Sequence, residues 1–332
     1  MDRAPSLPVS APVFLVGAER SGTTLLRLIL DSHPDISFGE EFEYAVDLVG
    51  SDGEVPDMDQ YRKYLEVNRI FSGSGFVFDA GLSYFELVDG FLRSRQQKKG
   101  ADHVGATIHF GFSKALKLWP DAKLIHIVRD PRDVSPSNVE MGWAGNVWFG
   151  LDKWLEAEDE WAAVKDVLAP GQALTIKFPD LINDHRTTVG SVCDFIGVSY
   201  TEEVLSYVDD TDYRRPTPGL AASWQTKLSP KQVRLIEARV GDRLEQLGFE
   251  PSGLAPLAVA PRSLAFLKAD HRVRKFTKRA DLYGWPLTIS GFLARATNDE
   301  NWQRAVQLGI NDIEKGRLRK SWSDSDGQRS SR

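Results

Sequence analysis

The sequence contains a single cysteine, Cys193, and lacks any long hydrophobic run. One cysteine cannot form an internal disulfide framework, so nothing in the sequence indicates an oxidising compartment. The N-terminal segment 1–11 is interrupted by Pro8 and lacks the apolar core of a signal peptide. No apolar run approaches the roughly 20 residues needed to cross a bilayer. We therefore expect a cytoplasmic protein without a transmembrane segment.

The sequence also lacks an excess of positive charge. Its formal net charge is −6 over 332 residues, which argues against nucleic-acid binding and requires any anionic ligand to meet a local positive site. Hydrophobic residues make up 42% and charged residues 27%, values typical of a globular protein rather than a disordered or fibrous one. The length suits one large α/β domain with an extension.

Three short apolar runs alternate with helical patterns. They cover residues 13–16, 123–128 and 173–178, and each is typical of a strand buried on both faces of a parallel sheet. Helical segments are expected between them, including several over 58–118. We therefore predict an α/β fold, a P-loop-type doubly wound parallel sheet flanked by helices, whose ligands bind beyond the carboxyl ends of the strands.

The first run leads into a glycine-bounded loop, Gly17–Thr24, which is followed by a helical pattern. Gly17 and Gly22 let the backbone approach an anion closely, and the start of the helix adds N–H groups and a positive dipole end. The G-x-x-x-x-G spacing is that of a nucleoside-triphosphate loop, but Thr23 replaces its lysine, which disfavours a kinase or NTPase. Arg20 instead places a guanidinium inside the loop, where it can clamp two oxygens of a phosphate or sulfate.

A second basic site is predicted at the end of the 123–128 run. Arg129 follows that run directly, and Ser137 lies eight residues farther along the chain. Two anion sites at one sheet edge would suit a ligand that is phosphorylated at both ends. The alternative is that Arg129 forms a structural ion pair with Asp130 or Asp133.

Ser137 has an alternative interpretation as well. The segment Ser137–Glu140 fits a capping box, and Pro136 would kink a helix already under way. The helix is therefore expected to begin at Ser135 or Ser137, which would make Ser137 a helix cap rather than a ligand.

Residues 14–26 resemble the 5′-phosphosulfate loop of sulfotransferases that use 3′-phosphoadenosine-5′-phosphosulfate (PAPS), and the continuation over 30–36 and 39–41 also resembles these proteins. The similarity is greatest to the branch that contains protein-tyrosine sulfotransferases and bacterial relatives. It implies transfer of a sulfuryl group from PAPS to a hydroxyl or amine acceptor by in-line displacement, with release of 3′,5′-adenosine bisphosphate. The residues that the resemblance assigns to the 5′-phosphosulfate are Arg20, Ser21, Gly22, Thr23 and Thr24, and those for the 3′-phosphate are Arg129 and Ser137.

A looser similarity covers Gly219–Trp224, which resembles the glycine-to-tryptophan segment that closes over the nucleotide in that family. The basic pair that precedes the glycine in the family is absent, although Arg214 and Arg215 lie nearby. Trp224 is assigned to the nucleotide site on this basis. Burial as a core anchor is the alternative.

Two residues compete for the role of general base. Glu41 has the spacing from Arg20 of the catalytic glutamate of tyrosine sulfotransferases, and a carboxylate can take a proton from a hydroxyl. Its alternative is a first-turn helix acid, together with Glu40 and Glu43. His109 is its rival, because the segment that ends at His109 resembles the catalytic histidine segment of cytosolic sulfotransferases. Arg20 completes the predicted catalytic set as the charge stabiliser.

Two positions depart from the tyrosine-sulfotransferase pattern. Thr107 stands where that branch has a lysine, so Lys114 or Lys177 would have to supply the charge. Glu43 stands where the branch has an arginine, which weakens the case for an acidic tyrosine-containing peptide as acceptor. These departures leave a non-catalytic PAPS- or glycan-binding relative as an alternative.

The remaining sequence predicts a C-terminal helical extension. We place an N-terminal segment at 1–11, a sulfotransferase domain at 12–250, a basic helical extension at 251–320 and a disordered tail at 321–332. Within the extension, residues 262–279 include seven basic residues and one acid, which fits a solvated helical face, a site for an anionic acceptor or a membrane surface. No metal-ligand cluster is visible, and the acceptor stays open among carbohydrate, lipid-linked sugar, peptide tyrosine and small metabolite.

Overall fold

The structure is a computed structural model that describes residues 8–213, 215–216 and 221–329, with side chains described as far as residue 316. Its centre is a five-stranded, wholly parallel sheet in the order β2-β3-β1-β4-β5. The strands are β1 (Val13–Val16), β2 (Ile36–Glu41), β3 (His103–Ile108), β4 (Lys123–Val128) and β5 (Ala173–Lys177). The predicted doubly wound parallel sheet is confirmed. Strands β2 and β3 were not predicted from apolar runs, and β3 lies within 58–118, where helical segments were expected.

Helices alternate with these strands and continue beyond them. In the described part of the chain they are α1 (Thr23–Asp31), α2 (Met58–Val67), α3 (Arg69–Ser74), α4 (Tyr84–Lys99), α5 (Phe112–Leu118), α6 (Pro131–Glu140), α7 (Asp152–Lys165), α8 (Phe178–Asn183), α9 (His185–Ile196), α10 (Tyr207–Asp210), α11 (Trp224–Lys227), α12 (Pro230–Val240), α13 (Arg243–Gln246), α14 (Pro261–Tyr283), α15 (Trp285–Thr297) and α16 (Glu300–Arg329). The last three form the C-terminal helical extension.

Strand β1 shows how the sheet is buried on both faces. Its four residues are all buried, and their side chains alternate between two clusters because successive side chains of a strand point to opposite faces. Val13 and Leu15 join the cluster that contains residues of α1 and α9, whereas Phe14 and Val16 join the cluster that contains residues of α4 and α5. Helices therefore cover both faces, which leaves the carboxyl edge of the sheet for a ligand.

The start of α6 differs from the prediction. The helix begins at Pro131, not at Ser135 or Ser137, because the Asp130 side chain caps the first turn and proline suits the first helical position. Pro136 lies inside the helix, where it removes one backbone hydrogen bond without ending it. Ser137 is therefore a mid-helix residue, and its interpretation as a helix cap was wrong.

The structure also contradicts one of the two interpretations of the acids around the end of β2, namely that they are first-turn acids of a helix. Glu40 and Glu41 are the last two residues of β2, and Glu43 begins a short 3₁₀ turn. These residues are therefore not first-turn acids of an α-helix, because the chain is still extended and paired with β3 as far as Glu41.

The extension packs against the rest of the chain at two places. On α14, Leu267 contacts the apolar cluster that contains residues of α6, α7 and α12, and the His271 ring lies 4.5 Å from the Phe149 ring. On α16, the Asn311 amide donates to the Val67 carbonyl oxygen at 2.8 Å. Within the described ranges, we find no helix that combines the length and hydrophobicity of a membrane span.

Candidate functional site

The loop after β1 is shaped by close backbone approach. Gly17 has a φ of 131°, and a Cβ at this position would lie 2.4 Å from the Ile127 carbonyl oxygen. Gly22 has a φ of 100°, and a Cβ there would lie 2.3 Å from the Phe178 ring. Any side chain at either position would displace β4 or Phe178. Arg20 adopts a φ of 70°, a backbone conformation that is costly for a non-glycine residue and concentrated at functional sites.

The loop and the second basic motif converge. The Arg20 Nε donates to the Ser137 hydroxyl at 2.8 Å, and the Arg129 Nη1 donates to the Arg20 carbonyl oxygen at 3.3 Å. The Arg129 guanidinium also stacks over the Phe178 ring at 4.2 Å from its centroid. The structure therefore brings together three residues that the sequence predicted separately, at the carboxyl ends of β1 and β4.

Two neighbouring guanidinium groups concentrate positive charge beside the loop. Asp133 balances part of it, because its carboxylate lies 3.6 Å from Arg129 Nη2, which is the ion pair considered as the alternative role of Arg129. Burial is the largest effect and lowers the pKa of Arg129, Asp133 opposes it, and the positive charge of Arg20 lowers that pKa further. The Ser21 hydroxyl in the same loop is buried and has no hydrogen-bond partner among the described residues. A bound anion with several oxygens would give the Ser21 hydroxyl a partner and add negative charge beside the arginines. The loop therefore fits a phosphate or sulfate group.

The segment before α11 is held against α6 by Asp133. Its carboxylate accepts hydrogen bonds from the N–H groups of Ala222 and Trp224 and from the Ser223 hydroxyl. The Arg132 guanidinium lies 3.9 Å from the centroid of the Trp224 ring, which is only partly buried. Trp224 therefore lies beside the start of α6 and outside the apolar core. Three other members of the predicted segment lie outside the described residues, namely Arg214, Gly219 and Leu220.

His109 faces the phosphate loop from the end of β3. Its Nε2 lies 3.2 Å from the Thr23 hydroxyl, while Thr24 is exposed in the first turn of α1. On the other side of the ring, a Glu43 oxygen accepts the His109 backbone N–H at 2.7 Å and lies 2.7 Å from Nδ1. Because an ionised carboxylate only accepts hydrogen bonds, Nδ1 carries a proton and Nε2 is the basic nitrogen of the neutral ring.

The Glu43–His109 pair is coupled through its charges. Burial lowers the pKa of His109, but the hydrogen bond and negative charge of Glu43 outweigh burial and leave that pKa raised. Burial raises the pKa of Glu43, but the hydrogen bonds and charge of His109 leave it lowered. A carboxylate placed in this way orients an imidazole and favours its protonation. The sequence did not reveal this pairing, because Glu43 was interpreted there as the loss of an arginine or as a first-turn helix acid.

Glu41 has a different environment. Its carboxylate lies 4.0 Å from Arg69 Nη2 and is 43% exposed, and its partial burial raises its pKa, with the charge of Glu43 adding to the effect. Strand β3 lies between β2 and β1, so His109 contacts the loop directly whereas Glu41 lies one strand farther away. Glu41 instead borders a cavity of about 140 Å³. Its aromatic lining residues are Phe42, Tyr44, Phe76 and Phe91.

Lys153 is a cation beside the loop that the sequence did not reveal. Its ammonium pairs with the Glu19 carboxylate and lies 4.5 Å from the centroid of the Trp143 ring. The two lysines considered as replacements for the family's lysine bind elsewhere. Lys114 and Lys177 donate to backbone carbonyl oxygens of other segments, at 3.2 and 3.4 Å.

These features define a class of protein, the α/β proteins that bind phosphorylated or sulfated nucleotides at the carboxyl edge of a parallel sheet. Within the residues that the structure covers, no group of three or more His, Cys, Asp or Glu side chains is arranged to hold a metal ion. The chain belongs to the sulfotransferase family, whose sequence model matches residues 12–202. It is therefore a transferase that moves a sulfuryl group.

Individual relatives are distant. A protein from Aquifex aeolicus (strain VF5) is 25% identical over 213 residues, which cover 60% of this chain but only 27% of that protein. Protein-tyrosine sulfotransferase 2 of Gallus gallus is 23% identical over 323 residues, or 86% of this chain and 80% of that protein. The solved sulfotransferase domain of the Synechococcus PCC 7002 olefin synthase is similar with a TM-score of 0.52 and 19% identity, covering 69% of this chain and 95% of that domain. The last similarity supports the fold alone.

Proposed function

We propose that this chain transfers a sulfuryl group from PAPS to a hydroxyl or amine acceptor by in-line displacement and releases 3′,5′-adenosine bisphosphate. The observation that carries the proposal is the contact between Arg20 and Ser137, because it joins the phosphate loop to the second basic motif. A donor with an anionic group at each end would use both motifs at once. A nucleoside triphosphate has one anionic end, and Thr23 replaces the lysine that its phosphates would need.

Each predicted nucleotide residue has a place in this proposal. The N–H groups at the start of α1 and the Ser21 hydroxyl hold the 5′-phosphosulfate, while Arg129 and Ser137 hold the 3′-phosphate. Trp224 covers the nucleotide from the side of α6. PAPS supplies the reactive sulfuryl group together with its phosphate leaving group. Arg20 stabilises the negative charge that develops during transfer.

His109 is the general base that the geometry supports best. Its Nε2 is directed toward the loop, where it can accept a proton from the acceptor hydroxyl, while Glu43 holds Nδ1 and stabilises the imidazolium that results. Glu41, which the sequence favoured, is second because its carboxylate faces Arg69 and solvent. Glu43 is a positioning residue in this proposal, since it acts through His109.

Glu43→Gln is expected to shift the pH profile of sulfuryl transfer. A base must be deprotonated, so kcat/KM falls as the pH drops through the pKa of His109, which Glu43 raises. The amide keeps an oxygen that accepts hydrogen bonds but removes the negative charge, so burial then dominates and the acid limb moves to lower pH. Initial rates measured across pH test this. Glu40→Gln, on the same segment, is the control, and an unmoved acid limb in Glu43→Gln would contradict the pairing.

The proposed donor is tested by product analysis. The purified protein, incubated with PAPS and panels of carbohydrates, lipid-linked sugars, tyrosine peptides and small metabolites, should yield a product heavier by one SO₃ group, together with 3′,5′-adenosine bisphosphate. Mass spectrometry detects both, and we expect the same yield in the presence of EDTA. If no acceptor gains mass and no bisphosphate is released, the proposed function is wrong.

The cytoplasmic location expected from the sequence remains a prediction.

A further inference from the structure

The outward sides of α14 and α15 expose large apolar side chains. On α15 these residues follow the spacing i, i+4, i+7 and i+8, which places them on one face of the helix. On α14 two further residues are seven positions apart and share one face. Together the six form what we call the exposed apolar face: Phe266 (71% exposed), Val273 (64%), Trp285 (52%), Ile289 (45%), Phe292 (57%) and Leu293 (44%).

The two helices form a joined surface. The Phe276 ring of α14 contacts the rings of both Trp285 and Phe292, with centroids 6.0 and 6.3 Å apart. These contacts tie the first and second turns of α15 to the middle of α14. The apolar side chains of α15 therefore join Phe276 of α14 in one patch, and Val273 and Phe266 continue the apolar side of α14 from there.

The opposite sides of both helices face protein. On α14, His271 Nδ1 accepts the Gly145 N–H at 3.1 Å. On α15, Gly291 is buried, and a Cβ there would lie 3.1 Å from the Val306 side chain of α16. Arg295 is the one charged residue of α15. A helix that is apolar on both its inner and its outer side is normally covered on both.

A strong positive charge borders the exposed apolar face. Residues 262–279 contain seven basic residues and one acid, a net charge of +6, on a chain whose net charge is −6. Lys268 and Arg272 are exposed on α14. The one acid, Asp270, is held by Arg274 at 2.6 Å. Whatever covers this face must therefore accept both apolar aromatic groups and a concentration of positive charge.

We propose that the exposed apolar face binds the surface of a bilayer that contains anionic lipid. Tryptophan and phenylalanine side chains enter the boundary between headgroups and acyl chains, and lysine and arginine side chains attract anionic headgroups. A second copy of the chain is a poor occupant, because a symmetric contact through this face would bring two +6 segments together. The helices lie on the membrane surface and do not cross it.

Vesicle sedimentation tests the electrostatic part. Full-length protein is mixed with phosphatidylcholine vesicles that either contain or lack phosphatidylserine, and we expect binding to the anionic vesicles that weakens as salt is added. The double variant Lys268→Glu, Arg272→Glu should lower the partition coefficient by at least about tenfold. The charge-matched control Lys63→Glu, Lys165→Glu, on α2 and α7, should leave it unchanged.

A second pair of variants tests the apolar part. Phe292→Gln with Leu293→Gln should also reduce binding by about tenfold or more, whereas Val77→Gln with Val167→Gln, exposed elsewhere, should not. Unchanged thermal melting shows that each variant is folded. The proposal is overturned if the wild type binds no vesicle, or if the face variants bind as well as their controls. A dimer that is lost in Phe292→Gln would assign the face to a second copy instead. Neither vesicle experiment measures sulfuryl transfer, so its result does not depend on the proposed function.

Discussion

Arg129→Ala is expected to weaken the binding of 3′,5′-adenosine bisphosphate by roughly thirtyfold or more, since truncating one partner of a buried, hydrogen-bonded charge pair at a binding interface costs about 2–5 kcal/mol. The side chain is mostly buried, rests on the Phe178 ring and donates to the Arg20 carbonyl oxygen. Its removal takes away both the charge and the support of the loop. Arg20→Ala should have a smaller effect because Arg20 is more exposed. Isothermal titration calorimetry measures both changes in Kd.

Arg243→Ala is the matched control for these two variants. Arg243 forms an ion pair with Asp159 at the surface, 2.5 Å apart, so its loss should leave nucleotide affinity unchanged. If the wild type does not bind the bisphosphate, or if Arg20→Ala and Arg129→Ala bind as tightly as Arg243→Ala, the assignment of the nucleotide site is wrong.

His109→Ala is expected to lower kcat by about 10²–10⁴, the range over which a positioned general base contributes. Affinity for 3′,5′-adenosine bisphosphate should change little, because the His109 ring faces the Thr23 hydroxyl and Glu43 rather than the arginine pair. Glu41→Gln should cause a smaller fall in kcat. Initial rates with saturating PAPS, together with calorimetry of the bisphosphate, separate the two effects.

His103→Ala controls for the loss of a histidine from the same strand. His103 is the first residue of β3, so it lies at the amino end of the strand, away from the loop at the carboxyl end. Its replacement should therefore leave kcat near the wild-type value. The reverse ranking, with a large fall in Glu41→Gln and a small one in His109→Ala, would assign the base to Glu41 and return the interpretation to the one that the sequence favoured.

The strands that the sequence predicted are those with mainly apolar runs. Strands β1 and β4 have this pattern because they lie inside the sheet. Strand β5 lies at one edge of the sheet, with Ala173 and Thr175 exposed, and was recognised from its mainly apolar run alone.

Strand β3 was missed although it is also central, because Gly105 interrupts its pattern. The structure explains this glycine, since a Cβ there would lie 2.3 Å from both the Phe38 ring and the Val13 carbonyl oxygen. Strand β2 was missed because Ser37, Gly39 and the two terminal glutamates interrupt its apolar pattern, although its first four residues are buried.

In the site, likewise, the residues that could be predicted are those with a pattern in the nearby sequence. Arg20 and Arg129 were predicted because each follows a strand closely, and Ser137 was predicted from its match to the sulfotransferase pattern. The contact between Glu43 and His109 joins residues 66 positions apart, and that between Glu19 and Lys153 joins residues 134 positions apart. Neither pair has a local pattern, so a single sequence carries no signal for them. We therefore prefer His109 to Glu41 as the general base only because the structure places β3, and with it His109, beside β1.

The Phe178 ring supports two parts of the candidate site at once. It fills the space that a side chain at Gly22 would occupy, and it supports the Arg129 guanidinium at 4.2 Å. One ring thus packs against both the phosphate loop and the Arg129 guanidinium. A smaller residue at position 178 would leave a void beside both, so we expect the positions of Gly22 and Arg129 to depend on an uncharged aromatic side chain.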